Sequence, residues 1–250
     1  MIRILIVIAM SLLSFVIYGQ GKHTVSISGG VQSIEVAAPL TVNIDATKDS
    51  NVVEIVTENA VGAELIQVKQ VGSKLIVDLK SSNRRVKNIG KISVYVSQKA
   101  ILTYSASTVG KIVVTGRVTG DVARVSADAT GYVNANFSVN SININIDSAS
   151  KYVGNVTAKT MRANVDSAGK VVVTGDVETL NVNVDSAGAF DGKGLKAKYV
   201  KAEVDSMGKA EVYPTESLNA YADSMGKVIY HNTPKEIKKY TDSMGSVKAN

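Results

Sequence analysis

The chain has 250 residues, with no cysteine, no tryptophan, three prolines and only 5% aromatic residues. This composition excludes disulfides, thiolate metal sites and a cysteine nucleophile, and it favours narrow stacked strands over a bulky aromatic core. The net charge of +6 is mild and dispersed, whereas a nucleic-acid binder clusters its cations with aromatics between them. We therefore expect one large all-β domain or two smaller ones, with no nucleic-acid partner.

Residues 1–19 have the order of a secretory signal peptide. Arg3 precedes an apolar run at 4–18, and the small residue Gly19 follows. The run is short for a membrane span, which needs about 20 residues. We predict cleavage near Gly19–Gln20 and export to the periplasm, the outer surface or the medium, with no integral membrane segment afterwards. An uncleaved anchor is the alternative.

The segment 20–100 is predicted to be a less regular β region. Its strands are expected at His23–Ile27, Ser33–Ala37, Leu40–Ala46, Val52–Thr57, Leu65–Gln70, Lys74–Leu79 and Ile92–Val96. The tripeptide Val71-Gly72-Ser73 has the composition of a hairpin turn. Because a solenoid end exposes unpaired strand edges, this region is expected to cap the first rungs or to be continuous with them.

Residues 101–250 contain a repeated four-residue turn. Its first positions are Ser107, Asp128, Asp147, Asp166, Asp185, Asp205, Asp223 and Asp242. Most of the later turns read Asp-Ser-Ala-Gly or Asp-Ser-Met-Gly, and they recur about every 19 residues. A period of this length is typical of a solenoid, because a propeller blade needs about 40 residues.

Apolar residues occupy fixed positions between these turns. Five residues after each first position lie Ile112, Val133, Tyr152, Val171, Phe190, Ala210, Val228 and Val247. The flanking segments alternate polar and apolar residues, as in Ser141-Ile-Asn-Ile-Asn-Ile, which indicates strands with one buried face. A unit this short cannot bury that face alone. We therefore predict an all-β, right-handed parallel β-helix (β-solenoid) with rungs of about 19 residues.

The turn residues are predicted to be structural. The fourth-position glycines are Gly110, Gly131, Gly169, Gly188, Gly208, Gly226 and Gly245. Glycine adopts positive φ without steric cost, so these residues are expected to supply the left-handed position of each corner. Asp and Ser are expected to satisfy nearby backbone N–H groups.

The turn aspartates are also the candidate binding residues. They are Asp147, Asp166, Asp185, Asp205, Asp223 and Asp242. Stacked one rung apart they repel one another, and a bound cation such as Ca²⁺ would relieve that repulsion. The lysines four residues after the turn start are Lys111, Lys151, Lys170, Lys209 and Lys227. We favour this basic column as the neutralising group, with no metal or other cofactor; an Asp-ladder cation site is the alternative.

The sequence contains no recognisable catalytic motif. His23 and His231 are far apart and lack an evident partner, and no nucleophile elbow or phosphate loop is present. Outward-facing asparagines offer polar columns to a ligand, or bond to one another along the stack. These asparagines are Asn143, Asn145, Asn164, Asn181 and Asn183.

The C-terminal repeats resemble a known family. The residues that carry the resemblance are Asp223-Ser-Met-Gly-Lys-Val-Ile-Tyr-His-Asn-Thr-Pro and Lys239-Tyr-Thr-Asp-Ser-Met-Gly-Ser-Val. With the repeated turns, they resemble the head GIN domain of putative auto-transporter adhesins, a family common in Bacteroidetes, over about residues 22–248. That family typically repeats a Gly-Ser-Gly turn, where this chain has Asp-Ser-Ala-Gly or Asp-Ser-Met-Gly. The resemblance implies a surface adhesin.

These observations predict a non-catalytic binding or adhesion protein of the cell envelope, with an unknown surface ligand that is a glycan or a protein. A structural or assembly β-solenoid, including a homo-oligomer, is the alternative. A polysaccharide-active enzyme is the least favoured reading, because the loops between strands are too short to build a deep groove.

Overall fold

The structure, a computed structural model, describes residues 21–58, 60–80 and 91–250. The predicted signal peptide at 1–19 lies outside these described residues. In the described part of the chain, no helix has the length and apolar character that a bilayer crossing requires.

The N-terminal part forms short strands. These are β1 (Lys22–Ser26), β2 (Ser33–Val36), β3 (Thr41–Asp45), β4 (Val52–Thr57), β5 (Ile66–Val71), β6 (Lys74–Leu79), β7 (Ile92–Ser97) and β8 (Thr103–Ala106). All seven strands predicted between residues 20 and 100 are confirmed to within two residues at either end. The predicted hairpin is β5–β6, whose pairing is antiparallel and whose turn residue Gly72 has a φ of 58°. A single helical turn, α1 (Ala60–Glu64), was not expected.

The repeats form long strands that stack in parallel. They are β9 (Lys111–Ala127), β10 (Tyr132–Ile146), β11 (Lys151–Val165), β12 (Lys170–Val184), β13 (Ala189–Val204), β14 (Lys209–Ala222), β15 (Lys227–Tyr230), β16 (Glu236–Thr241) and β17 (Ser246–Ala249). Adjacent rungs pair in register, for example Tyr132 with Lys151 and Lys151 with Lys170. The predicted parallel β-solenoid with rungs of about 19 residues is therefore confirmed.

The N-terminal strands continue the same sheet. β2 pairs in parallel with β8, and β3 with β9, so residues 33–45 form a rung directly on residues 103–115. On their other side β2 and β3 pair with β6 and β7. β4 and β1 then extend the sheet in antiparallel fashion from β7. The early strands thus form one 17-stranded sheet with the repeats.

The core runs along the inside of the stack. The apolar column five residues after each turn is buried from Ile112 to Val228, and it includes the aromatic side chains of Tyr152 and Phe190. Tyr104, Phe137 and Tyr152 form an internal aromatic stack, with ring centroids 5.8 and 6.5 Å apart. Each tyrosine hydroxyl donates to a buried carbonyl, so the polar ends of these rings are satisfied.

Candidate functional site: the corner groove

The turns share one backbone conformation. The residues with positive φ at the second turn position are Thr108, Ala129, Ser148, Ser167, Ser186, Ser206, Ser224 and Ser243. Their φ values lie between 43° and 60°. The turn glycines do not have positive φ, so the expectation that they supply the left-handed residue is wrong. A short polar side chain with a local hydrogen bond tolerates this conformation instead.

The turn glycines are required by close contact between rungs. A Cβ atom on Gly131 would lie 2.2 Å from the Ala106 carbonyl oxygen, and one on Gly169 would lie 2.8 Å from the Ile146 oxygen. Ser150 occupies the same position in its turn, where its buried hydroxyl donates to the Ala127 carbonyl at 2.8 Å. Its turn is slightly wider, with the Ser150 nitrogen 3.3 Å from the Asp147 oxygen against 2.9 Å at Gly169.

Each turn aspartate holds its own corner and the next one. Asp147 Oδ1 accepts from the Ser148 backbone N–H at 2.5 Å, and the same bond recurs in the later turns. Asp147 Oδ1 also accepts from the Ser167 hydroxyl of the following rung at 3.1 Å, and Asp185 accepts from Ser206 at 3.0 Å. The predicted backbone-satisfying role of Asp is therefore present, with an added bond between rungs.

The predicted lysine column does not neutralise these aspartates. The lysines align, as Lys151 with Lys170 and Lys209 with Lys227. Among the described residues, however, no ion pair within 4.0 Å joins a lysine to a turn aspartate. That expectation is wrong because the backbone N–H and serine hydroxyl groups already occupy the carboxylates.

A second ladder runs beside the aspartates, two residues earlier in each rung. We call it the amide column: Ser105, Ser126, Asn145, Asn164, Asn183, Glu203, Tyr221 and Tyr240. The amides of Asn145 and Asn164 lie 2.7 Å apart, and those of Asn164 and Asn183 lie 2.9 Å apart. The Asn183 nitrogen donates to a Glu203 carboxylate oxygen at 3.0 Å. An amide bonded to two neighbours keeps one N–H and one oxygen lone pair free for another molecule.

The two ladders border a groove along the solenoid axis, which we call the corner groove. Its larger part encloses about 480 Å³ and its smaller part about 310 Å³. Both parts are lined by Asn164 and Asp166, so they are continuous. The groove runs from Ser105 at one end to Tyr221 and Asp223 at the other. It therefore presents carboxylate and amide groups at every rung.

The C-terminal end of the groove is aromatic. Tyr221 and Tyr240 stack with centroids 4.6 Å apart and planes 8° from parallel. Lys201 lies 5.9 Å from the Tyr221 ring centre and pairs with Glu203 at 2.7 Å. The hydrogen bond to Glu203 raises the pKa of Lys201. An exposed aromatic face next to polar groups is a surface on which a sugar ring or another planar group can stack.

The aspartate ladder does not form a recognisable metal centre. Within residues 21–58, 60–80 and 91–250, no group of three or more Asp, Glu or His side chains is placed to hold an ion. The Oδ1 atoms instead serve the backbone, as described above.

His231 has a partner, contrary to expectation. Its Nε2 lies 2.7 Å from Glu211, which also binds Lys209 at 2.6 Å. The hydrogen bond from Lys209 is the main cause that lowers the pKa of Glu211, and His231 adds to it. Glu211 and His231 are adjacent in register one rung apart on a face outside the corner groove, so this cluster ties β14 to the loop after β15.

Sequence reasoning placed the aspartates but missed the rest of the groove. The five candidate asparagines divide into two separate columns, with Asn145, Asn164 and Asn183 in the amide column and Asn143 and Asn181 two residues earlier. Glu203, Tyr221 and Tyr240 were not singled out. The 19-residue register, applied to the polar positions as well as to the apolar ones, would have found them.

The fold and the groove define a class of protein: a parallel β-solenoid whose repeated turns build a polar surface along its axis. Within that class, the chain belongs to the family described as putative auto-transporter adhesin, head GIN domain, whose model matches residues 30–234. No protein with a curated description matches the sequence.

Solved structures show the same fold. A putative adhesin from Parabacteroides distasonis is 19% identical, with 92% of this chain and 96% of that chain covered at a TM-score of 0.83. A putative adhesin from Parabacteroides merdae is 15% identical, with 92% and 95% covered at a TM-score of 0.81. A putative lipid binding protein from P. distasonis is 15% identical, with 92% and 96% covered at a TM-score of 0.78.

Proposed function

We propose that this protein is an exported, non-catalytic binding protein of the cell envelope, and that the corner groove is its ligand-binding surface. The observation that carries the proposal is the continuity of the groove, in which a carboxylate and an amide recur in successive rungs and a tyrosine stack closes one end. A long surface of this kind fits an extended ligand, either a glycan or a protein segment.

The repetition of the groove argues against hydrolysis. Acid–base catalysis by two carboxylates requires different surroundings for the donor and the acceptor. Here the turn gives Asp147, Asp166, Asp185 and Asp205 the same bond to the next backbone N–H. Equal surroundings do not differentiate an acid from a base, so we assign the carboxylates to structure and binding.

A glycan array and a panel of envelope proteins test the proposal. We expect binding by the purified protein that weakens in an Asn164→Ala/Asn183→Ala variant, since both amides line the groove. Asn140→Ala is the matched control, because Asn140 lies outside the groove and bonds Asp121. Equal loss in both variants, or no ligand on either panel, would contradict a binding role for the groove.

The cellular location is tested separately by labelling intact cells with a membrane-impermeant reagent. An adhesin is expected to be labelled on whole cells. Labelling that appears only after the outer membrane is opened would favour the alternative, a structural solenoid of the periplasm.

A further inference from the structure

A third ladder lies four residues before each turn, and we call it the cationic column. Its members are Arg124, Asn143, Arg162, Asn181, Lys201, Asn219 and Lys238. Each is the direct register neighbour of the next, so cations and asparagines alternate rung by rung along one flat strand face. With a rung spacing of about 4.8 Å, the cations recur about every 9.6 Å.

The cations of this column face solvent. Arg124, Arg162 and Lys238 are exposed, and within the described residues none of the three has an ion pair or a side-chain hydrogen bond. Lys201 is the member that is paired, through Glu203. The asparagines between them are half-buried and lie lower on the face. The column therefore presents free positive charges on alternate rungs with amide groups between them.

The choice of asparagine between the cations is informative. Like charges on directly adjacent rungs repel, and a carboxylate in the intervening rung would relieve that repulsion. The chain uses that solution on another face, where Lys198 lies 3.9 Å from Glu178 of the preceding rung. In the cationic column the intervening residue is neutral, so the column separates its charges and still keeps them.

We propose that the cationic column binds an extended acidic polysaccharide in which a carboxylate-bearing sugar alternates with a neutral one, with the polymer lying along the solenoid axis. The inference rests on the proposed binding function and names its ligand class. An extended β-linked polysaccharide advances by roughly one rung spacing for each pyranose ring. Its carboxylates then meet the cations on every second rung, while the asparagines bond the neutral sugars.

The neighbouring columns favour this placement. Before the cationic column, β10 to β12 present only Ser141, Thr160 and Thr179, which are small and uncharged. After it stand the free N–H groups of Asn145, Asn164 and Asn183. The turn aspartates are four residues away along the strand, about 13 Å. That distance exceeds the screening length of about 8 Å at physiological ionic strength, so the aspartates do not cancel the attraction.

The test uses the full exported chain and three polymers of known structure. Hyaluronan carries a carboxylate on alternate sugars, polygalacturonate carries one on every sugar, and dextran is neutral. We expect calorimetry to show that hyaluronan oligosaccharides bind most tightly, that added salt weakens binding, and that dextran does not bind.

Two variants of equal charge decide whether the column is the site. Arg124→Gln/Arg162→Gln is expected to weaken hyaluronan binding about tenfold or more. Lys159→Gln/Lys196→Gln removes the same charge from exposed positions elsewhere and is expected to bind within about twofold of the unmodified protein. Melting temperatures confirm that both variants fold.

Several outcomes overturn the inference. These are no hyaluronan binding, equal loss in the two variants, preference for polygalacturonate, or equal displacement by single-stranded DNA. A neutral glycan or a protein that binds the corner groove while hyaluronan does not would overturn this inference and leave the proposed function intact. Absence of any ligand would overturn both.

Discussion

The residue that turns each corner is the serine, and the glycine after it is what lets the rungs approach. Ser167 and Ser206 hold positive φ at 56° and 55°, and their hydroxyls donate to the aspartate of the preceding rung. A left-handed residue other than glycine costs about 1–2 kcal/mol, which these local bonds offset. The turn motif thus links neighbouring rungs outside the core as well as inside it.

The close approach at Gly131 predicts a large effect from one methyl group. In Gly131→Ala the added Cβ would lie 2.2 Å from a backbone oxygen that cannot move independently of its rung. We expect a loss of about 2 kcal/mol or more in the free energy of unfolding, measured in urea. Gly29→Ala is the control, since its nearest neighbour is at 3.5 Å, and should change stability by less than about 0.5 kcal/mol. Equal effects would contradict the contact.

The Glu211 cluster predicts a pH-dependent contribution to stability. The pKa of Glu211 is lowered from its ordinary 4.5, mainly by the hydrogen bond from Lys209, so the ionised side chain stabilises the fold above that pH. Glu211→Gln should cost about 1 kcal/mol at neutral pH. The difference from the unmodified protein should narrow as pH falls below 4.5, in urea titrations at several pH values. A difference that stays constant with pH would rule out the charge as its cause.

At the scale of the rung, stability depends on side chains that fit between neighbouring turns of the stack. Phe137 is fully buried between Tyr104 and Tyr152. Phe137→Ala should therefore reduce the free energy of unfolding by about 3–5 kcal/mol, because it leaves a cavity in three rungs. Phe137→Leu fills most of that space and should cost distinctly less. Similar losses in the two variants would indicate that the aromatic stack does not set the packing.

The strands could be predicted because their residues report their own environment. The alternation in Ser141–Ile146 shows one buried face whatever the neighbouring strand is. The role of Gly131 could not be predicted in this way, because the atom that excludes a Cβ belongs to Ala106, 25 residues earlier. The cationic column was missed for a similar reason: Arg162 has meaning only beside Asn143 and Asn181.

At the scale of the molecule, the C-terminal end of the stack has open strand edges. In the described chain β16 pairs only with β14, and β17 only with β15. Exposed edges invite pairing with another copy, and exposed lysines oppose it. Lys238 and Lys248 are exposed on these two strands.

Removing those charges should promote association. Lys238→Val/Lys248→Val is expected to form concentration-dependent oligomers in sedimentation velocity experiments, because the edge loses its repulsion and gains strand-forming residues. Lys159→Val/Lys196→Val changes the same residue types away from the end and should sediment as the unmodified protein does. An unchanged sedimentation coefficient in the first variant would show that the end is protected by other means.

The first rung joins parts of the chain that are distant in sequence, and this gives folding a direction. Ser33 pairs with Thr103, a separation of 70 residues, whereas Tyr132 pairs with Lys151, a separation of 19. Closing the longer loop costs about 1 kcal/mol more in chain entropy. Once β2 and β3 have docked on β8 and β9, each later rung adds to a finished template through a short loop. The N-terminal part then acts as the folding nucleus, and pulsed hydrogen exchange should show protection spreading from it toward the C-terminus, one rung after another.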